Sequence, residues 1–324
     1  MAASLLLITP PFTQLNTPYP ATAYLKGFLN TQGIASTQAD LGIEVTLQLF
    51  SKATLVQVFA EAKLSINGQE PNANIQRILA LETHYLSTID AVIAFLQGKN
   101  PTLAFSIAQR NFLPEASRFA QLQDLQYAFG TMGVQDQAKY IATLYLEDIA
   151  DLITTCVDER FGFSRYAEKL ARSAHSFEPI EKALQQPLTL IENILIEKLQ
   201  IHLQQHQPSA VALSVPFPGN LMGALRCGQF IKANYPAIKV IMGGGFPNTE
   251  LRSLQDATIF KYIDFITLDD GETPIIQLCK YLEGEATVAD LKRTYLLQNQ
   301  ELVFINNPAC TDIKQAQVGT PDYN

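Results

Sequence analysis

The chain is poor in the residues that most catalytic and metal-binding chemistry requires. Its four cysteines, Cys156, Cys227, Cys279 and Cys310, lie dozens of residues apart and make neither a metal-ligand cluster nor a disulfide framework. Histidine is equally sparse. His202-x3-His206 has the i, i+4 spacing of a metal pair on a helix, but no third ligand lies near it in sequence, so a solvated helical face is the default. His84 and His175 stand alone in helical surroundings. No Gly-x-Ser-x-Gly turn surrounds Ser214, whose neighbours Leu213 and Pro216 fit a nucleophile elbow poorly. No apolar run approaches the ~20 residues of a membrane span. The opening Met1–Pro10 segment lacks the basic start and small-residue cleavage site of a signal peptide and reads as a buried first strand. Acidic residues outnumber basic ones, 31 to 23, which argues against nucleic acid, because phosphate binding depends on clustered Lys and Arg. The expectation is a cytosolic chain with reduced thiols, no membrane association and no nucleic-acid partner.

What is present is a globular composition, 47% hydrophobic and 17% charged, ample for a large core in 324 residues. Residues 4–9 are an apolar strand, 21–30 a helix stopped by Gly33, and Ala35–Asp40 a second strand. From 43 to 206 strand signals almost vanish. Ile75–Leu96, Ala138–Val157 and Leu188–Gln205 carry apolar residues three and four apart, the mark of amphipathic helices. Alternation then returns, with strands at 210–215, 238–242 and 263–268, and helices at 220–234, 247–256 and 273–283. A hairpin follows, Arg293–Gln298 with Leu302–Asn306. Strand–helix–strand alternation predicts an α/β, Rossmann-like, doubly wound parallel sheet of five strands with a large all-helical insertion and a C-terminal hairpin. The predicted organisation is a Rossmann-like domain of 1–42 plus 207–290, a helical insertion of 43–206, and a hairpin and linker of 291–324.

Two runs stand out, Ser214-Val-Pro-Phe-Pro-Gly-Asn220 and Met242-Gly-Gly-Gly-Phe-Pro-Asn-Thr-Glu250. Each follows a strand and leads into a helix, the place where an open α/β sheet holds its ligand. Neither contains an acid, a base or a good nucleophile before its helix begins, which points to a cradle. Gly243-Gly-Gly245 is not a dinucleotide fingerprint, since Asn248 takes the third glycine's place, and no Gly-Lys-Ser/Thr makes a P-loop. Cys227 lies early in a helix, where the dipole lowers a thiol's pKa, but a buried small hydrophobe is the stronger reading. With right-handed crossovers, Thr9-Pro-Pro-Phe12, Ser214–Gly219, Gly243–Pro247 and Asp269-Asp-Gly-Glu272 should all reach one sheet edge.

A Pro-Pro loop after the first strand, a Ser on the third-strand loop and a Gly-Gly turn after the fourth resemble the cobalamin-binding domain of cobalamin-dependent radical SAM enzymes. Glu250-Leu-Arg252, Tyr262-Ile-Asp-Phe-Ile-Thr-Leu-Asp-Asp-Gly-Glu272 and Phe161-Gly-Phe-Ser-Arg-Tyr-Ala-Glu168 are similar to members linked to maturation of ribosomally made peptides. The resemblance covers the Rossmann-like part well and the helical insertion loosely. It implies cobalamin as cofactor, with Thr9, Pro10, Pro11 and Phe12 shaping the loop under the corrin ring. Ser214, Val215 and Pro216 would border the dimethylbenzimidazole tail, with the Ser214 hydroxyl bonded to it. Gly243, Gly244 and Gly245 would let the tail pass bare backbone, and Asp270, Gly271 and Glu272 would bound its pocket. Helix capping is the alternative for Asp270 and Glu272. A peptide or small-molecule substrate would meet the helical insertion.

Two departures qualify the resemblance. Classical cobalamin domains carry Asp-x-His-x-x-Gly after the first strand, whereas residues 10–20 hold no His, which implies base-off, His-off cobalamin; Gln14, Asn16 and Tyr19 are the alternatives for the residue that would sit beneath the metal. The Cys-x3-Cys-x2-Cys of a radical SAM cluster is also absent. The last residues resemble the segment preceding that catalytic barrel. The expectation is therefore a fragment that binds cofactor and catalyses nothing alone, from a parent that uses an iron–sulfur cluster and S-adenosylmethionine, chiefly for methyl transfer. A stand-alone binding module and a Rossmann-like protein for another nucleotide-type ligand are the alternatives.

Overall fold

The run Leu5-Leu-Leu-Ile8 offers no polar face to water, so its strand must lie inside a sheet covered on both sides. The computed structural model, which describes residues 3–15, 17, 19–66, 70–122, 133–172 and 177–324, places it there. Strand β1 (Ser4–Thr9) is joined by β2 (Ala35–Asp40), β3 (Ala210–Ser214), β4 (Lys239–Gly243), β5 (Phe265–Thr267), β6 (Thr294–Gln298) and β7 (Glu301–Ile305). Together they make one seven-stranded sheet in the order β2-β1-β3-β4-β5-β6-β7. The first five strands run parallel, in the register Leu7↔Ala212, Ala212↔Ile241 and Ile241↔Phe265.

The sheet therefore exceeds the expected five strands. The hairpin is not a separate appendage, because β6 pairs antiparallel with β5 (Phe265↔Leu296) and β7 with β6. The outer edge of β5 carries backbone donors and acceptors that need partners. The hairpin supplies them and buries Tyr295 and Leu296 in doing so. The helix read over 247–256 is also shorter, Gly245–Glu250. Asp256 accepts a hydrogen bond from Thr258 N–H (2.9 Å) and restarts the chain as a short 3-10 turn, Ala257–Lys261.

Two compact units share the chain, Met1–Val45 with Phe163–Asn324, and Thr46–Gly162. The second is smaller than the insertion expected over 43–206, because the helix Leu190–His206 belongs with the sheet and packs on the helix Leu221–Asn234. Between these helices the buried Arg226 guanidinium lies 3.0 Å from Glu192. It also donates to the carbonyls of Ala183, Leu184 and Gln186, satisfying the end of the helix Glu178–Leu184. On one sheet face, Leu5, Leu7, Ala212, Ile241 and Phe265 pack against Phe28 and Leu29 of the helix Ala21–Thr31 and Ile275 and Leu278 of the helix Glu272–Glu283.

In the second unit the periodicity over 75–96 resolves into two helices, Ala73–Ala80 and Glu82–Leu96, followed by Leu103–Ala108 and Val134–Cys156. A two-residue strand at Phe161–Gly162 in this unit, and another at Arg165–Tyr166 that belongs to the sheet unit, depart from an all-helical insertion over 43–206. The unit's core holds a polar centre. Tyr85 donates to the buried Asp148 carboxylate (3.0 Å), Tyr85 stacks on Tyr145, and Arg118 approaches Asp148 to 3.7 Å while clasping Asp151. Burial, the largest cause, pushes the Asp148 pKa up to about 6. No single described helix is long and apolar enough to cross a membrane.

Candidate functional site

Because β1, β3, β4 and β5 are parallel, their following loops reach one sheet edge. Between the helices Ala21–Thr31 and Glu272–Glu283 this edge opens into a cleft of about 330 Å³. Leu7, Ala212, Ser214, Ile241 and Gly243 form its floor. Thr22 and Leu25 stand on one wall, and Thr267, Asp269, Gly271, Glu272 and Ile275 on the other. The cleft exists because the central strands end in small residues. Larger side chains at Ala212 or Gly243 would fill it.

The predicted residues divide. Ser214, Gly243, Gly244, Gly271 and Glu272 line the cleft. No described residue hydrogen-bonds the Ser214 hydroxyl. Thr9, Pro10, Pro11, Phe12, Val215, Pro216, Gly245 and Asp270 do not line it. The Pro10–Phe12 loop is buried within the sheet unit, where Asn220 donates to the Pro10 carbonyl (2.8 Å) and Phe12 packs edge-on against Tyr166. Thr9 keeps a fully buried hydroxyl without a hydrogen-bond partner, and strand alternation puts it on the same face as Leu7. Val215 donates its N–H to Gly243 (2.8 Å) and accepts from Phe246 (3.0 Å), which locks the two loops together.

That lock changes the reading of the glycines. A Cβ on Gly244, which sits at φ 108°, would stand 2.8 Å from the Val215 carbonyl oxygen, and one on Gly245 would stand 2.6 Å from that of Pro216. Both are bare because the neighbouring loop comes so close. Neither Asp270 nor Glu272 caps its helix through a side chain, since Gly271 occupies the N-cap without a side-chain bond. Asp270 is exposed and contributes its carbonyl to Arg293 (3.2 Å).

Asp269, which opens the Asp269-Asp-Gly-Glu272 loop expected at this edge but was given no role in the site, organises the wall. In a left-handed conformation (φ 61°), it pairs with Arg252 and lies 3.6 Å from Arg293, while its N–H donates to Asn248 (2.6 Å). Arg293 also holds Asp312 and the Leu268 carbonyl. The sequence does not show this network, because the partners come from two segments distant from each other, 248–252 and 293. At the mouth, Tyr19 meets Phe217 edge-on at 5.9 Å, and Phe217 is 53% exposed. Tyr24, which also lines the cleft, adds further exposed aromatic surface. Gln14 is exposed, and Asn16 lies outside the described residues.

Among the described residues, no histidine lines the cleft. His202 bonds Glu44 (2.8 Å) and stacks on His206, yet no group of three or more metal-ligating side chains forms among the described residues. His84 is exposed, and His175 lies outside the described residues. Cys227 is buried, which pushes its thiol up to about 12, so it packs as a small hydrophobe. The cleft thus offers shape, the Ser214 hydroxyl, the Glu272 side chain, an Asp269 already paired with arginines, and an aromatic rim. The chain matches no protein-family model, no curated protein and no solved structure.

Proposed function

We propose that this chain binds cobalamin, with the nucleotide tail in the cleft and the corrin ring over the rim of Tyr19 and Phe217. The observation that carries the reading is the cleft itself: a cavity at the C-terminal strand ends, floored by Ala212, Ser214 and Gly243 and entered past exposed aromatic surface. Its volume of about 330 Å³ suits a bicyclic base with its sugar. Ser214 is the donor toward the base. Leu7, Leu25 and Ile275 would exclude water from the tail, and among the described residues no histidine lines the cleft to offer cobalt an imidazole. When bound, cobalamin would supply a metal able to carry a methyl group, and the reaction class we assign to it is methyl transfer of the cobalamin-dependent radical SAM type. Hydroxocobalamin titration followed by absorbance and calorimetry tests the binding: one equivalent in a base-off spectrum is expected, and no binding at millimolar protein-accessible concentrations refutes it.

A second reading, a nucleotide-type ligand, is favoured by Glu272 on the cleft wall, a carboxylate that could accept from ribose hydroxyls. Calorimetry with nucleotide-sugars separates the two.

A further inference from the structure

The chain from Val318 onward turns back across the helix Ala21–Thr31. Val318 is buried in the same core cluster as Phe28 and Leu29, and Gly319 (φ 82°) redirects the backbone. Thr320 then passes so close that a Cβ on Gly27 would stand 1.9 Å from its carbonyl oxygen. Asp322 is the centre of the contact. Its N–H donates to the Ala23 carbonyl (3.0 Å), its carboxylate accepts from Asn30 (2.8 Å) and pairs with Lys26 (3.1 Å), and its carbonyl accepts from Gln38 of β2 (2.7 Å). Lys26 also donates to the Asn324 carbonyl (2.6 Å). The Asn324 backbone N–H and then Lys26 hold the Asp322 carboxyl down at about 2, so it stays charged at any ordinary pH.

Positions 23, 26, 27 and 30 share one face of a helix. Thr22 and Leu25, turned away from that face, stand on the cleft wall. We propose that residues 319–324 act as a strap that sets the position of the Ala21–Thr31 helix and thereby the width of the cleft, so that release of the strap weakens ligand binding without touching any cleft residue. The effect on binding rests on the cobalamin reading above; the effect on the helix does not.

The test compares the full chain with Gly27→Ala and Asp322→Ala by hydrogen exchange and by hydroxocobalamin titration. In a helix without a strap, Gly27→Ala should slow exchange, because Ala is the better helix former. With the strap, the new methyl must expel Thr320. Exchange across 319–324 should then rise in both variants, and across 21–31 it should accelerate about tenfold or more. The dissociation constant for hydroxocobalamin should rise about tenfold, equivalent to about 1.4 kcal/mol. Should Gly27→Ala unfold by circular dichroism, Asp322→Ala decides, since its side chain lies at the surface. Slower exchange across 21–31 in Gly27→Ala, or a released tail with unchanged helix exchange in Asp322→Ala, overturns the proposal. If the unaltered chain binds no hydroxocobalamin, the cofactor reading fails and the exchange result alone supports or overturns the strap.

Discussion

A side-chain carbon on Gly244 would stand 2.8 Å from the carbonyl oxygen of Val215, the same oxygen that accepts a hydrogen bond from Phe246. The glycine turn and the Ser214 loop are therefore one interlocked piece. With φ at 108°, any L residue at 244 is strained as well as crowded. Gly244→Ala should destabilise the sheet unit by ~1–3 kcal/mol, measured as a lower urea midpoint. An unchanged midpoint would show that the loops separate freely.

Ala212 separates binding from stability better. It lies on the cleft floor beside Leu7 and Ile241. Ala212→Leu should lower hydroxocobalamin affinity by about tenfold or more. Its melting temperature should hold or rise, because the new side chain fills a cavity. Ser214→Ala removes one hydrogen bond and should cost about 1 kcal/mol, several-fold in affinity. Normal binding by Ala212→Leu would put the ligand elsewhere.

Among the described residues the cleft's lining contains no histidine, and His202 is engaged with Glu44. Electron paramagnetic resonance of the bound cob(II)alamin form should show no nitrogen splitting from a protein imidazole. A clear triplet would contradict this placement.

Asp148 gives the helical unit a pH signature. Burial raises its pKa from 3.8 to about 6, against the opposing pull of the Tyr85 hydroxyl and Arg118. The folded chain thus binds this proton more tightly than the unfolded chain does. The contribution is fully present below the unfolded pKa and is lost as pH rises through about 6. Asp148→Asn, which keeps an acceptor for Tyr85 and never ionises, should gain on the unaltered chain between pH 4 and pH 7. Parallel melting-temperature profiles for the two would show that Asp148 keeps its ordinary pKa.

Much of the sheet was legible because parallel strands covered on both faces must be apolar throughout, as Leu5–Ile8 and Val211–Leu213 are. Glycine and proline mark their turns for equally local reasons. The cleft was legible only in part. Ser214, Gly243 and the Asp269–Glu272 loop were found from their place after strands, whereas Thr22 and Leu25 reach the cleft from a helix with no local mark of it.

By itself, the sequence determined the parallel order of alternation, the strand ends that would carry loops, and the scarcity of His and Cys at those ends. Each is a property of residues near one another in the chain, where periodicity and turn chemistry act. Tertiary structure alone decided that the hairpin extends the sheet, that the helix Leu190–His206 packs with it, and that Pro10–Phe12 is buried while Tyr19 stands at the mouth. It also decided that Asp322 lies on Lys26 and Asn30. An apolar or charged side chain encodes a need for a partner, and only the folded chain, by bringing distant backbone into contact, selects which one.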